Sequence, residues 1–301
     1  MYHKPTDYIA VSVTGNRLFI ERKGKMNMKM RLKDGKLKVL TLSYDDGVVQ
    51  DIRLIKILDK YGLKGTFNIN SGTYFPEDAT RERYYGRMKL SEAKELYMNS
   101  DHEVAVHSFN HPFLEQLDTA EIIYQITEDR KAIERDYGKI TRGMAYPMGT
   151  YNDKVVDILD KCKIAYARTT KATFGFKFPE NWLLLHPTCH HNYENLQELI
   201  TNFVETLNRW RNPEMFYLWG HSYEFDNNDN WDVIEKFAKY AGGHEHIWYA
   251  TNIEIYDYVK AYESLQKSYD GKIVHNPSAI DVWFDINGIV YCVKSGETIS
   301  I

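Results

Sequence analysis

From Lys38 onward the sequence alternates short apolar runs with longer segments whose apolar residues recur every three to four positions. This alternation predicts successive β-strand and α-helix units around a parallel sheet, because the short runs suit buried strands and the longer period suits amphipathic helices. There are about seven such units, fewer than the eight of a regular α/β barrel. The predicted strands are Val39–Tyr44, Gly65–Asn70, Glu103–His107, Gly143–Tyr146, Ile164–Thr169, Met215–Gly220 and Ile247–Ala250. The predicted helices are Asp51–Lys60, Ser91–Asn99, Thr119–Tyr137, Asn152–Lys161, Asn195–Trp210, Trp231–Ala241 and Asn252–Leu265.

The two ends of the chain have a different pattern, in which turn dipeptides separate alternating runs. Near the N-terminus, VSVTGNRLFI and MRLKDGKLKV contain Gly-Asn and Asp-Gly pairs that predict hairpins. Near the C-terminus, Asn287 and Gly288 predict another hairpin. We therefore predict an α/β fold, a distorted (β/α)7 barrel over residues 38–268. An N-terminal β-hairpin extension (1–37) and a C-terminal β-strand extension (269–301) should form a small antiparallel β unit.

Charge and composition limit the partners that the chain can have. Lys and Arg total 38 against 42 Asp and Glu, and the net charge of -4 provides no positive field to attract a phosphate backbone. We therefore expect no nucleic-acid partner. Polar residues interrupt every apolar run of the N-terminal segment, so we expect no export signal and no membrane span. The three cysteines (Cys162, Cys189 and Cys292) are scattered and odd in number, which predicts reduced thiols and a cytoplasmic location.

Polar side chains at the ends of the predicted strands carry the chemistry, because catalytic groups of parallel α/β folds lie at the carboxyl ends of strands. The first strand ends in Ser43-Tyr44-Asp45-Asp46-Gly47. Two adjacent carboxylates repel each other unless a cation or protons relieve the repulsion, so such pairs often mark metal or acid/base sites. A plain Asp-Gly turn is the alternative interpretation.

A second strand end contains two histidines four positions apart, in His107-Ser108-Phe109-Asn110-His111-Pro112. Both imidazoles can reach one ion if the strand ends at His107 and the next residues turn the chain back. Zinc proteases use this spacing on a helix, but no Glu follows His107 and the proline biases His111 away from helical geometry. Joined to an aspartate, the pair predicts a three-ligand site of the kind that holds catalytic zinc.

Two further histidine segments occur later in the chain. Leu218-Trp219-Gly220-His221 places an imidazole at the end of a predicted strand, where it suits a general acid for a departing amine or alkoxide. His186, His190 and His191 lie together in LLLHPTCHHNY, but their spacing matches no usual metal-ligand set. We interpret them as residues that line the cleft or contact the substrate, and a second metal site is the less favoured alternative.

Taken in order, these motifs resemble those of the polysaccharide deacetylases of carbohydrate esterase family 4 (CE4), the NodB-homology family. The resemblance implies a barrel of the NodB-homology type. The match to Thr-Phe-Asp-Asp-Gly implies that Asp45 is the general base and Asp46 a metal ligand. The match to His-Ser/Thr-x-x-His implies that His107 and His111 complete the metal triad, and Leu-x-x-His implies His221 as the general acid.

The resemblance covers roughly residues 38–260, but the third motif is only partly present. Its pattern, Phe-Arg-x-Pro-Tyr-Gly, corresponds to Met144-Ala145-Tyr146-Pro147-Met148-Gly149, so Ala145 replaces the arginine that orients the base. The Pro-x-Gly turn is kept, which implies that the Met148 N–H donates to the tetrahedral oxyanion. Arg168, at the next strand end, is our hypothesis for the replacement of the missing arginine. The fourth motif, an Asp near a Trp that tunes the acid histidine, is not recognisable.

The function implied by the resemblance is metal-dependent removal of acetyl groups from an acetylated oligo- or polysaccharide, with zinc as the expected divalent ion. Two alternatives stay open: a hydrolase of a non-sugar amide C–N bond on the same fold, and an inert glycan-binding pseudoenzyme. Substrate contacts are expected from Tyr146, Pro147 and Trp219. Tyr74, Tyr84 and Tyr85, in the loop after the second strand, are further candidates for sugar stacking, although ordinary packing in the core or at the surface is the favoured interpretation for them.

Overall fold

The computed structural model describes residues 9–14, 17–22, 27–80, 86–206 and 212–301. The strands of these residues are β1 (Ile9–Thr14), β2 (Arg17–Arg22), β3 (Met28–Met30), β4 (Lys38–Asp45), β5 (Gly65–Ile69), β6 (Glu103–Val106), β7 (Gly143–Ala145), β8 (Tyr166–Arg168), β9 (Cys189–His190), β10 (Glu214–Gly220), β11 (Ile247–Tyr249), β12 (Gln266–Lys267), β13 (Ile273–His275), β14 (Val282–Ile286), β15 (Ile289–Val293) and β16 (Thr298–Ser300). Their α-helices are α1 (Asp51–Lys60), α2 (Leu90–Met98), α3 (Thr119–Tyr137), α4 (Asp153–Lys161), α5 (Leu196–Glu205), α6 (Tyr223–Asn227), α7 (Trp231–Ala241) and α8 (Asn252–Glu263).

The largest sheet is parallel and has the strand order β8-β7-β6-β5-β4-β10-β9. One edge of strand β4 pairs with β10 along Lys38–Tyr44. Two strands share the other edge of β4: β11 pairs with Lys38–Leu40, and β5 pairs with Leu42–Asp45. This shared edge curls the sheet around β4, and it brings the carboxyl ends of β4, β6, β8 and β10 together.

Strand β4 is buried along its whole length. Helices cover parallel sheets on their faces, so both sides of a strand such as β4 are shielded from solvent, including its polar residues Thr41 and Ser43. Leu42 is fully buried in the main core with Leu54 and Leu58 of α1 and with Phe67 of β5. Truncating a side chain such as Leu42 to alanine in a core of this kind costs about 2–5 kcal/mol.

Helix α3 shows how local sequence signals position part of the site. The Asp118 side chain accepts a hydrogen bond from the Glu121 N–H at 2.9 Å, and the two residues form a capping box at the start of the helix. Gly138 ends the helix with a φ of 65°, a left-handed conformation that favours glycine. The helix thereby presents Asp129 to the sheet, where its carboxylate accepts the backbone N–H of His107 at 2.9 Å.

The chain ends form antiparallel pairs outside the large sheet. Strands β1 and β2 pair as VSVTGNRLFI predicts, and β14 pairs with both β15 and β3. Asn287 and Gly288 join β14 to β15 with φ angles of 53° and 93°, as expected for an Asn-Gly hairpin. The hairpin predicted at Asp34 and Gly35 is wrong. These residues lie in a short 3-10 turn between β3 and β4, and the two strands belong to different sheets.

The predicted fold class is confirmed, since the large sheet contains all seven predicted strands as β4, β5, β6, β7, β8, β10 and β11. Strand β9 and helix α6 were not predicted. Helix α5 ends at Glu205, and part of its predicted extension to Trp210 lies outside the described residues.

Candidate active site

The site is built at the carboxyl end of β4, where two aspartates follow each other. Asp45 is the last residue of the strand and is 2% exposed. Asp46 has a φ of 88° and Gly47 a φ of 61°. These left-handed conformations turn the chain sharply after the strand, so the two carboxylates serve different neighbours.

The two histidines of the second motif lie beside this turn. His107 follows β6, and Ser108 and His111 have φ angles of 65° and 59° that fold the chain back. The Nε2 atoms of His107 and His111 are 3.1 Å apart, and Nε2 of His111 is 3.8 Å from Oδ1 of Asp46. One ligand atom from each of Asp46, His107 and His111 lies within 4.8 Å of the others. The structure therefore brings the predicted metal ligands together.

The orientation of His107 prepares it to bind an ion through Nε2. Its Nδ1 atom lies 2.9 Å from the backbone oxygen of Ala145, which can only accept a hydrogen bond, so Nδ1 carries the proton and Nε2 has a lone pair. Burial lowers the pKa of His107 to about 4, an effect that Asp45 and Asp46 only partly oppose. The imidazole is therefore neutral near pH 7, the form that metals require.

The donor set of Asp46, His107 and His111 fits a divalent transition metal. Zinc–nitrogen bonds of about 2.0–2.1 Å in tetrahedral geometry place two ligand atoms about 3.3 Å apart. The separation of 3.1 Å between the two Nε2 atoms is close to this value. One carboxylate and two imidazoles also leave positions open for water and substrate, as catalytic zinc sites do.

Asp45 forms a buried ion pair with Arg168. The Arg168 guanidinium donates to Oδ2 of Asp45, and the Asn68 amide donates to Oδ1 at 2.8 Å. Burial alone would raise the pKa of Asp45, but Arg168, with help from His107 and His221, holds it well below its usual range. Asp45 is thus an anion at all working pH values.

Arg168 lies at the position proposed for it from the sequence. It is the last residue of β8, its side chain is fully buried, and its guanidinium carbon is 4.5 Å from the ring centre of Trp219. Ala145, which replaces the family arginine, is its partner on the neighbouring strand β7. A guanidinium thus reaches Asp45 from the adjacent strand. Its role in catalysis stays a prediction.

His221 lies between Asp45 and a glutamate that the sequence analysis missed. Its Nε2 atom is 3.8 Å from Oδ2 of Asp45, and its Nδ1 atom is 3.0 Å from Oε1 of Glu224. Burial lowers the pKa of His221, but the bond to Glu224 and the charges of Asp45 and Asp46 together raise it above its ordinary value. Glu224 lies three residues after His221 in α6, a helical spacing that could have identified it.

The turn after β7 presents Met148 to solvent. Met148 has a φ of 58° and is 49% exposed, whereas Tyr146 and Pro147 are buried. The Tyr146 hydroxyl donates to the Leu183 carbonyl at 2.8 Å. Tyr146 and Pro147 therefore support the turn, and their role as substrate contacts stays a prediction. Trp219 is partly buried and covers Arg168.

The structure adds side chains that the sequence did not indicate. Nδ2 of Asn70 donates to the carbonyl of Ser108 at 2.9 Å and thereby ties the end of β5 to the histidine loop. Arg87 pairs with Oδ1 of Asp46 at 2.9 Å. Among the tyrosines proposed as sugar contacts, Tyr74 hydrogen-bonds through its hydroxyl to another tyrosine, whereas Tyr84 and Tyr85 lie outside the described residues.

Comparison with known proteins agrees with the fold and motifs. A family model described as polysaccharide deacetylase matches residues 33–167. The chain is 16% identical to a solved structure described as a polysaccharide deacetylase from Mycobacterium smegmatis. The two structures superpose over 79% of this chain and 96% of that chain, with a TM-score of 0.52. The parallel curled sheet with its helices defines a NodB-type (β/α)7 fold. The resemblance predicted from the motifs is confirmed, since residues 33–167 match the family model described as polysaccharide deacetylase.

Two further similarities complete the comparison. The chain is 26% identical to the uncharacterized protein YlxY of Bacillus subtilis (strain 168) over 168 residues, which are 51% of this chain and 48% of YlxY. The chain thus spans about half the length of that relative. It is 19% identical to a CE4 family pseudoenzyme from Bacillus anthracis, with coverage of 72% and 65% of the two chains and a TM-score of 0.43. No helix of the described residues is long and apolar enough to cross a membrane.

Proposed function

We propose that this protein is a zinc-dependent hydrolase that removes acetyl groups from an acetylated oligo- or polysaccharide. One observation carries the proposal: the ligand atoms of Asp46, His107 and His111 lie within 4.8 Å of one another, with Asp45 and His221 beside them. This arrangement would provide an ion site, a base and an acid at one point. The match of residues 33–167 to the polysaccharide deacetylase family model supports the acetyl group as the target.

The ion site would be formed by one oxygen of Asp46 and the Nε2 atoms of His107 and His111. When bound, a divalent ion such as zinc supplies a Lewis acid that activates water and polarises a carbonyl group. Arg87, which hydrogen-bonds to Asp46, would fix the orientation of that carboxylate.

The proton transfers would be performed by Asp45 and His221. Asp45 is ionised and accepts a proton from the attacking water, while Arg168 holds its carboxylate in position. The raised pKa of His221 favours the protonated form, which donates to the leaving nitrogen or oxygen of the sugar. The Met148 N–H would donate to the oxyanion. The acyl bond breaks, and the products are acetate and a free amine or hydroxyl group.

Acetate release from defined substrates tests this proposal. Purified protein would be stripped with a chelator, reloaded with zinc, and incubated with N-acetylated chito-oligosaccharides and O-acetylated xylo-oligosaccharides. We expect acetate from one of these classes, restored by zinc and lost in His107→Ala and Asp45→Asn. Deacetylated chito-oligosaccharides serve as the control for free acetate.

The two alternative functions give other results in the same experiment. Zinc binding with no acetate release, but with cleavage of a non-sugar amide, would favour the C–N hydrolase. Zinc binding with glycan binding and no product would favour an inert binding protein. We further propose that residues 38–268 form the catalytic unit and that 1–37 and 269–301 are its extensions. The cytoplasmic location stays a prediction from the scattered cysteines.

A further inference from the structure

Three imidazoles surround a single carboxylate, that of Glu224, on the far side of His221 from the predicted zinc ligands. Oε1 of Glu224 is 3.0 Å from Nδ1 of His221. Oε2 is 3.2 Å from Nε2 of His190 and 2.9 Å from Nε2 of His191. One ligand atom from each of His190, His221 and Glu224 lies within 4.8 Å of the others.

Neighbouring strand ends assemble this cluster. His190 is the last residue of β9 and pairs in parallel register with Trp219 of β10, so it lies beside the strand end that carries His221. Helix α6 then starts at Tyr223 and returns Glu224 to the same place. The sequence LLLHPTCHHNY gave no ligand set, because two of the three ligands come from a different segment.

The cluster is open on one side and supported on the other. The side chains of His190, His221 and Glu224 are 26%, 21% and 22% exposed, so an ion can enter from solvent. His191 has no exposed side-chain surface, and its ring stacks on Phe225 with the ring centres 4.2 Å apart. It therefore holds Oε2 of Glu224 from the buried side.

The surroundings of His191 fix this support. Gly220 makes room for the ring, since a side chain there would overlap the imidazole of His191. The carboxylate of Glu224 is thus positioned by a rigid neighbour, as the carboxylate ligands of metal sites usually are.

We propose that His190, His221 and Glu224 form a second site for a divalent transition metal of the zinc class. Two imidazoles and a glutamate form one of the donor sets that bind zinc in catalytic sites. An ion on Nε2 of His190 requires the ring proton on Nδ1, so the Asn192 N–H that points to Nδ1 at 3.2 Å must turn away, which makes this site the weaker of the two. The separations of 3.0 and 3.2 Å between Glu224 and the two histidine nitrogens are close to the spacing of about 3.3 Å for tetrahedral zinc ligands. This site is separate from the one formed by Asp46, His107 and His111.

Occupation of the second site would inhibit the enzyme, a consequence that rests on the proposed function of His221. An ion on Nδ1 of His221 replaces the Nδ1 proton and breaks the hydrogen bond to Glu224. The imidazole then cannot reach the cationic form that donates a proton to the leaving group. Excess zinc should therefore lower the rate of acetate release at saturating substrate.

Metal stoichiometry without substrate tests the site directly. Chelator-stripped protein would be dialysed against increasing zinc concentrations, and bound zinc would be measured by elemental analysis. We expect two zinc ions per wild-type chain, the second bound more weakly, and one per chain for His190→Gln or His190→Ala. His111→Ala should lose the tighter ion and retain the weaker one. His275→Gln, at an exposed histidine outside both sites, should still bind two ions.

One zinc per wild-type chain at all concentrations would overturn the proposal, and so would a second ion that survives both His190 variants. In the activity assay, we expect His190→Gln to need at least about tenfold more zinc than wild type for half-inhibition. Equal inhibition of both proteins would contradict the inhibitory role. If no acetylated substrate is cleaved but the second ion depends on His190, the proposed function fails and the metal site stands.

Discussion

Replacing Arg168 with methionine should destabilise the protein severely, because it leaves the Asp45 carboxylate buried without its counterion. The two side chains are 0% and 3% exposed, so water cannot replace the lost contact. Methionine keeps much of the packing against Trp219. The loss of charge is therefore the main effect of this substitution.

The magnitude follows from the burial of the pair. At an effective dielectric constant of about 20 and a contact of about 3 Å, two unit charges attract each other by about 5 kcal/mol. Removing one partner of a buried pair typically costs about 3–5 kcal/mol, because the other charge stays desolvated. Asp45→Asn combined with Arg168→Met removes both charges. The decrease in the free energy of unfolding of the double variant should therefore be smaller, by at least about 2 kcal/mol, than the sum of the decreases of the two single variants.

Urea unfolding at pH 7 of wild type, both single variants and the double variant measures this coupling energy. Lys60→Met is the matched control, because Lys60 also pairs with a carboxylate, that of Glu235 at 2.8 Å, but the two side chains are 57% and 43% exposed. The control should leave the free energy of unfolding unchanged within error. The reasoning is refuted if Arg168→Met costs less than about 1 kcal/mol, or if the losses of the two single variants simply add.

Three further predictions concern acidity and packing. Glu224→Gln removes a group that raises the pKa of His221, so the alkaline limb of the pH profile of kcat should move to lower pH when one zinc ion is bound. An unmoved limb would show that Glu224 does not set the pKa of His221. Gly220→Ala should destabilise the fold by about 1–3 kcal/mol, because its methyl group overlaps a neighbouring imidazole ring, whereas Gly175→Ala has room; equal melting temperatures would contradict this. Burial raises the pKa of Glu103 from 4.5 to about 7, so the folded state binds the extra proton and stability falls as the pH rises through that window. Glu103→Gln should reduce the fall in the free energy of unfolding across this pH range by about 1–3 kcal/mol. If the free energy of unfolding of this variant depends on pH as in the wild type, the Glu103 carboxyl is ionised throughout.

Local sequence patterns were sufficient for the fold and for part of the site. The strands that begin each unit are short runs rich in apolar residues, and β4 is buried along its length, as expected for a strand of a parallel sheet. Asp46 and His107 could be proposed as partners because parallel strand ends meet at one edge of the sheet. Arg168 could be proposed for Asp45 by the same rule, although 123 residues separate them in the chain.

The remaining features depended on tertiary contacts that no local pattern encodes. Strand β9 has only two residues, too few for an alternation to be visible, and it exists because β10 offers it an edge. The Asp34-Gly35 pair has the composition of a hairpin turn, but β3 pairs with a strand from the other end of the chain. Glu224 had a local signal in its spacing from His221, and only the coordinates show that His190 joins them.

Anomalous diffraction at the zinc absorption edge, from crystals grown with one equivalent of zinc, would show which side chains hold the ion. We expect a peak within about 2.1 Å of Nε2 of both His107 and His111 and of one oxygen of Asp46. A zinc peak located elsewhere, with none at these three side chains, would contradict this expectation.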